Sequence, residues 1–135
     1  MLEGVTIPIL SDQDIVAARQ SGRAMAAKLG FSATDQICIA TAISELSRNI
    51  VEYAKEGEIL LSPCRAHENG MVGVQIVARD RGPGIPDISL AMKDGYSTSR
   101  SLGLGLPGTR RLMDDFEIAS EAGKGTKVTI RKWLR

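Results

Sequence analysis

The stretch MVGVQIVARDRGPG, residues 71–84, sets apolar side chains at every second position and then breaks into glycines. Val72, Val74, Ile76 and Ala78 share one face of a strand by the period of two, and the same count puts Asp80 on that inward face at the strand's end. Gly82 and Gly84 then complete D-x-G-x-G and allow a tight backbone path. Such a carboxylate either caps its own turn or accepts a hydrogen bond from a buried ligand amine. The strand alone leaves both roles open.

Upstream, EILLSPC (58–64) and this strand flank Asn69-Gly70, a hairpin signal. Further back, GVTIPIL (4–10) alternates Val5, Ile7 and Ile9, and Pro8 removes a ladder donor, which predicts an edge strand. Two helices follow. Ser11 with Asp14 has capping-box spacing, and Ile15, Ala18, Gly22, Met25, Ala26 and Leu29 recur at helical intervals until Gly30. Ser32 with Asp35 opens the second helix, expected over about 33–54. That helix is apolar over most of its circumference through Ile37, Ile39, Ala40, Ala42, Ile43, Leu46, Ile50 and Tyr53, which predicts a central, buried element. One polar strip interrupts it: Glu45 and Asn49 lie i, i+4, with Thr41, Arg48 and Glu52 beside them. A polar strip on a buried helix requires partners, either within the protein or in a ligand with its cation.

Downstream, residues 88–101 offer at most a short helix and a Gly/Ser/Thr-rich mobile stretch. Gly103, Gly105 and Gly108 then fall in G-x-G-x-x-G. A dinucleotide fold requires a strand ending at the first glycine, and Tyr96-Ser97-Thr98-Ser99-Arg100-Ser101 is not one. A P-loop requires lysine after the last glycine, where Thr109 stands. A phosphate cradle at the start of a helix through Leu106, Arg110 and Met113, or a flexible turn, remains, with Pro107 suited to the helix's first turn. FEIAS (116–120), the turn EAGKG and TKVTIRKW (126–133) close the chain as another hairpin. The order predicts an α+β two-layer sandwich, helices on one face of a largely antiparallel sheet.

The 135 residues suit one domain, 1–135, and 43% hydrophobic with 24% charged residues suggest neither a disordered nor a membrane class. A net charge of +1 gives no basis for nucleic acid or an anionic membrane as partner. Cys38 and Cys64 are far apart and read as free thiols, and His67, the sole histidine, lies in a polar turn. Met1-Leu2-Glu3-Gly4 lacks the basic, apolar opening of a signal peptide, so a cytoplasmic protein is expected.

Glu45-x-x-x-Asn49, Asp80-x-Gly82-x-Gly84, Gly103-x-Gly105-x-x-Gly108 and Gly125-Thr126 together resemble, in order and spacing, the four boxes of the Bergerat-fold ATPases: gyrases, heat-shock chaperones, histidine kinases and MutL. DIVAARQ, TAISELSRNI, DRGPGIPD, DGYSTS, LGLGLPGTRRLMD and KWLR are similar to the small serine/threonine kinases of bacterial partner-switching pathways, especially the stressosome switch kinases. Tyr96 stands where that group is expected to have phenylalanine. The resemblance implies a Bergerat-type ATP-binding fold with an ATP lid at about 87–102. It implies Asn49 as the Mg²⁺ ligand, Glu45 as general base and Asp80 as reader of the adenine amine. It further implies Gly82 and Gly84 beneath the base, Gly103, Gly105, Leu106 and Gly108 at the phosphates, and Thr126 at the adenine end. Arg48 receives no family role; orienting Glu45, contacting phosphate and a structural ion pair all stand open.

With His67 in a turn, no acceptor histidine on a dimerisation helix is available, and the length leaves no room for the moving domains of gyrases and chaperones. The expected activity is therefore phosphoryl transfer from ATP to serine or threonine of a STAS-domain scaffold or antagonist, with release onto a phosphatase-type output protein in a stress response. An anti-sigma factor kinase that binds a sigma factor directly is the alternative.

Overall fold

A computed structural model of the chain describes residues 3–84, 105–121 and 123–135. Gly103, the expected lid at 87–102 with Tyr96, and the short helix considered within 88–101 lie outside the described residues.

Strand β1 (Val5–Ile9) leads into α1 (Asp12–Leu29) and α2 (Ala33–Asn49), which continues as a π-helical turn, Ile50–Ala54. The hairpin β2 (Gly57–Arg65) and β3 (Val72–Asp80) follows, then α3 (Gly105–Leu112) and the hairpin β4 (Asp115–Glu121) and β5 (Gly125–Trp133). The expected caps form. The Asp14 carboxylate accepts the N–H groups of Leu10 at 2.8 Å and Ser11 at 3.2 Å, and Ser32 Oγ accepts Asp35 N–H at 3.1 Å. Gly30, at φ 98°, ends α1 by donating to the Ala26 and Ala27 carbonyls.

All strand pairs are antiparallel, in the order β1-β2-β3-β5-β4, so β1 is an edge strand as Pro8 requires. The register aligns side chains in rows across the five described strands. One inner row reads Ile7, Ile59, Ala78, Val128, Ile118, and the next Val5, Leu61, Ile76, Ile130, Phe116. Against these rows α1 and α2 pack as a helical hairpin, with Ile39, Ile43, Leu46 and Ile50 fully or almost fully buried. Gly22 permits the close helix contact, since a Cβ there would meet Ile43 Cδ1. The opposite sheet face pairs Glu58 with Arg79 across β2 and β3 at 3.2 Å and is partly open to solvent.

One expectation for the second helix is corrected. Ile37 and Tyr53 are 54% and 45% exposed, because α1 and the sheet cover only one side of α2 and these positions fall on the other. The expected helical span of about 33–54 is met, with a π-helical last turn, Ile50–Ala54: Lys55, at φ 68°, donates to the Ile50 carbonyl at 2.7 Å, an i to i+5 bond.

Ser47 Oγ is buried with no hydrogen-bond partner among the described residues. Because an unsatisfied buried hydroxyl is costly and alanine is the better helix former, Ser47→Ala is expected to stabilise the fold by about 1 kcal/mol. An unchanged or lowered urea midpoint would refute that assignment.

Candidate functional site

At one end of the sheet the third inner row changes character. It begins with Ile9 and Gly57 and, continuing the same register, becomes Asp80, Thr126 and Ser120. Asp80 Oδ1 accepts two backbone N–H groups, from Gly82 at 2.9 Å and Thr126 at 3.1 Å. Among the described residues Oδ2 accepts none. One oxygen thus fastens the turn, the first role considered for Asp80, and the other carries no donor among the described residues. Ser120 Oγ and Thr126 Oγ1 lie 2.8 Å apart, which adds a hydroxyl pair beside the carboxylate.

Glycines let three chain segments converge here. Gly125, at φ 107°, passes so close to Asp80 that a Cβ would strike its carbonyl oxygen, and Gly84, at φ 81°, lies as tightly on the Glu121 carbonyl. Gly82 packs against Ala54 of the π turn, joining the Asp80 loop to the end of α2. A shallow open cleft of about 330 Å³ includes Asp80, Ser120, Gly125 and Thr126 but reaches neither Glu45 nor Asn49.

From this corner the polar strip of α2 runs back to α3. Thr41, Arg48 and Asn49 are half-buried and Glu52 is exposed, while Glu45 is only 7% exposed. A buried carboxylate needs compensation, and Glu45 has two sources. Arg48 Nη1 donates to Oε1 at 3.0 Å, and the Gly105 N–H, in the first turn of α3, lies 3.4 Å from Oε2. The second contact spans 60 residues and places the acid at the positive end of a helix. The Asn49 amide, one turn further along, makes no hydrogen bond among the described residues.

α3 carries a side-chain hydrogen bond at each end, one within the helix and one from β5. The fully buried Thr109 hydroxyl donates to the Gly105 carbonyl at 3.0 Å, and Lys132 Nζ donates to the Leu112 carbonyl at 3.0 Å, capping the last turn. This gives Lys132 of the KWLR segment a structural role. Leu106 lies in the hydrophobic core, so only its backbone is available to a ligand, and Gly108 is buried beside it.

The sequence-predicted residues therefore fall into two groups, Asp80, Gly82, Gly84 and Thr126 at the sheet end, and Glu45, Asn49, Gly105, Leu106 and Gly108 where α2 meets α3, with the π turn between them. Ser120 and Gly57 were not anticipated. The alternation that revealed Asp80 also puts Ser120 on the inner face two residues after Ile118. Gly57 is needed because a Cβ would meet both the Arg79 carbonyl and Ile50.

Among the described residues no group of three or more His, Cys, Asp or Glu side chains could hold a metal, and no helix is long and apolar enough to cross a membrane. A lone amide oxygen fits Mg²⁺, which takes few protein ligands and completes its shell with phosphates and water. Both cysteines are free. Burial pushes the Cys64 thiol up, against a smaller opposing effect of Arg131, and its register puts Cys64 on the sheet face away from Asp80.

A family model described as a histidine kinase-like ATPase domain matches residues 10–132. The chain is 53% identical over 129 residues to the serine/threonine-protein kinase RsbT of Bacillus subtilis (strain 168), covering 96% of each. It is 31% identical over 121 residues to the anti-sigma F factor of Thermoanaerobacter sp. (strain X514), covering 87% of this chain and 83% of that one. Among solved structures, the crystal structure of the RsbU and RsbW domains of Rv1364c from Mycobacterium tuberculosis is similar, with a TM-score of 0.64 and 22% identity over 99% of this chain; the match spans 33% of that chain. The mycobacterial sensor histidine kinase MprB is similar with a TM-score of 0.57 and 13% identity, over 98% of this chain and 97% of that one. At such identities these structures speak for the fold, an antiparallel sheet layered against helices, which agrees with the α+β expectation.

Proposed function

Because the chain belongs to the family of histidine kinase-like ATPase domains, we propose that it is an ATP-dependent protein serine/threonine kinase acting on a STAS-domain scaffold or antagonist. Release from that partner would let it engage a phosphatase-type output protein, in a cytoplasmic stress-response switch. The observation that carries this reading is the position of Glu45: a buried carboxylate held against the first turn of a glycine-bounded helix, with Asn49 one turn away. The likeness to RsbT over nearly the whole of both chains supports a kinase rather than a binding module alone.

The two groups of residues suit the two ends of ATP. Glu45 and Ala54 are nine residues apart along α2 and its π turn, roughly 13 Å by helical rise, the scale of an extended nucleoside triphosphate. In this reading Asp80 Oδ2 accepts the adenine amino group, and Gly82, Gly84 and Thr126 shape the base pocket. Gly103, Gly105, Leu106 and Gly108 line the phosphates. Asn49 would hold Mg²⁺, which supplies charge neutralisation along the phosphates. The partner's hydroxyl oxygen bonds to the γ-phosphorus, the bond to the bridging oxygen breaks with its electron pair leaving on ADP, and Glu45 Oε2 takes the hydroxyl proton.

Labelled ATP, Mg²⁺ and a STAS-domain partner should yield phosphoserine or phosphothreonine on that partner; bound Mg·ATP without transfer would refute the kinase. Asn49→Ala is expected to weaken nucleotide binding by about 10-fold or more in Mg²⁺ and to leave binding in EDTA unchanged. An equal Mg²⁺ dependence in the variant would remove Asn49 as ligand. The 31% identity to an anti-sigma F factor keeps direct binding of a sigma factor as the second reading; pull-downs with a sigma factor, a STAS protein and a phosphatase separate the two.

A further inference from the structure

The ion pair on Glu45 is asymmetric. Arg48 reaches back three residues and engages Oε1 alone, through Nη1 at 3.0 Å. If the guanidinium served only to neutralise a buried acid, the stronger arrangement would be the two-pronged fork that guanidinium and carboxylate planes favour. Instead Oε2 is left to face the first turn of α3, 3.4 Å from the Gly105 N–H. Glu45 is enclosed on the helix side, whereas the Arg48 side chain is one-third exposed and has further contacts of its own.

We propose that Arg48 is a positioning residue: it holds Glu45 Oε1 so that Oε2 is presented where α2 meets the glycine-bounded helix. The inference rests on the kinase reading, in which Oε2 receives the hydroxyl proton. Without Arg48 only the long Gly105 N–H contact, 3.4 Å, would restrain the carboxylate, and misplacement by about 1 Å can cost roughly 100-fold in rate.

The test uses the full chain and its STAS substrate. Arg48→Ala is expected to lower kcat by about 10- to 100-fold with the KM for ATP changed less than about threefold. Free guanidinium should restore part of the loss and equimolar sodium chloride none. Arg48→Lys, which keeps the charge without the planar group, should fall between wild type and Arg48→Ala. An unchanged kcat, or a joint loss of kcat and affinity without rescue, overturns the proposal.

A second measurement does not depend on catalysis. The Arg48 Nη protons should give separate, slowly exchanging NMR signals that merge in Glu45→Ala, which leaves no side-chain oxygen for them, and identical spectra would overturn the pairing. Wild-type protein that binds Mg·ATP yet transfers nothing refutes the kinase reading, and the Nη spectra still decide whether Arg48 orients Glu45.

Discussion

Glu45→Gln is expected to reduce phosphoryl transfer by about 10²- to 10⁴-fold at saturating ATP, with nucleotide affinity changed less than about threefold. The substitution keeps the shape of the side chain and leaves a carbonyl oxygen for Arg48, but it removes the basic oxygen that faces Gly105. Stability should fall by no more than about 1–3 kcal/mol, because the amide nitrogen leaves the Gly105 N–H unpaired while a neutral amide is less costly to desolvate than a carboxylate 7% exposed. Arg48, one-third exposed, can hydrate what it loses. Single-turnover transfer to the STAS partner, read beside thermal melting and nucleotide titration, separates the effects. Full activity in Glu45→Gln would remove Glu45 as base and leave it a structural acid between two helices.

Asp80→Asn is expected to weaken ATP binding by about 10²- to 10³-fold while the fold persists. An asparagine oxygen can keep the N–H groups of Gly82 and Thr126, so the loop and β5 remain fastened. The amide nitrogen then stands at the Oδ2 position and presents a donor to the adenine amine, itself a donor. A guanine ring carries an acceptor at that place, so the same variant should lose little or no affinity for GTP, narrowing or reversing the preference. Asp80→Ala would be less informative, because it also releases both N–H groups, at about 1–3 kcal/mol each if they stay buried. Calorimetric titration with the two nucleotides decides the matter; undiminished ATP affinity in Asp80→Asn would move base recognition elsewhere.

Much of this architecture follows from short-range rules. Period-two alternation carries Asp80 to the inner face, Pro8 assigns β1 to an edge, and Ser11, Gly30 and Ser32 bound the helices through backbone groups only a few residues away. Helical spacing also brings Glu45, Arg48 and Asn49 to one strip. The same rules fail for Ile37 and Tyr53, since an apolar residue signals that burial would be favourable and not which neighbour supplies it. The π turn was equally hidden: α and π turns differ by one residue in hydrogen-bond span, and it is packing of Ile50 and Ala54 against Gly57 and Gly82 that accompanies the wider one.

By itself, then, the sequence determined the order of helices and strands among the described residues, the inward carboxylate at the end of β3, and the acid and amide one turn apart on α2. These are consequences of backbone periodicity and local capping, which act over a few residues. Only the tertiary structure decided that β5, rather than its hairpin partner, lies beside β3, so that Thr126 and Ser120 complete the row begun by Asp80. It also decided that Glu45 meets Gly105 across 60 residues and that Arg48 takes only one of its oxygens. Those contacts depend on which distant surfaces bury each other best, a choice made by the packing of the whole sheet against its helices and carried by no single segment of the chain.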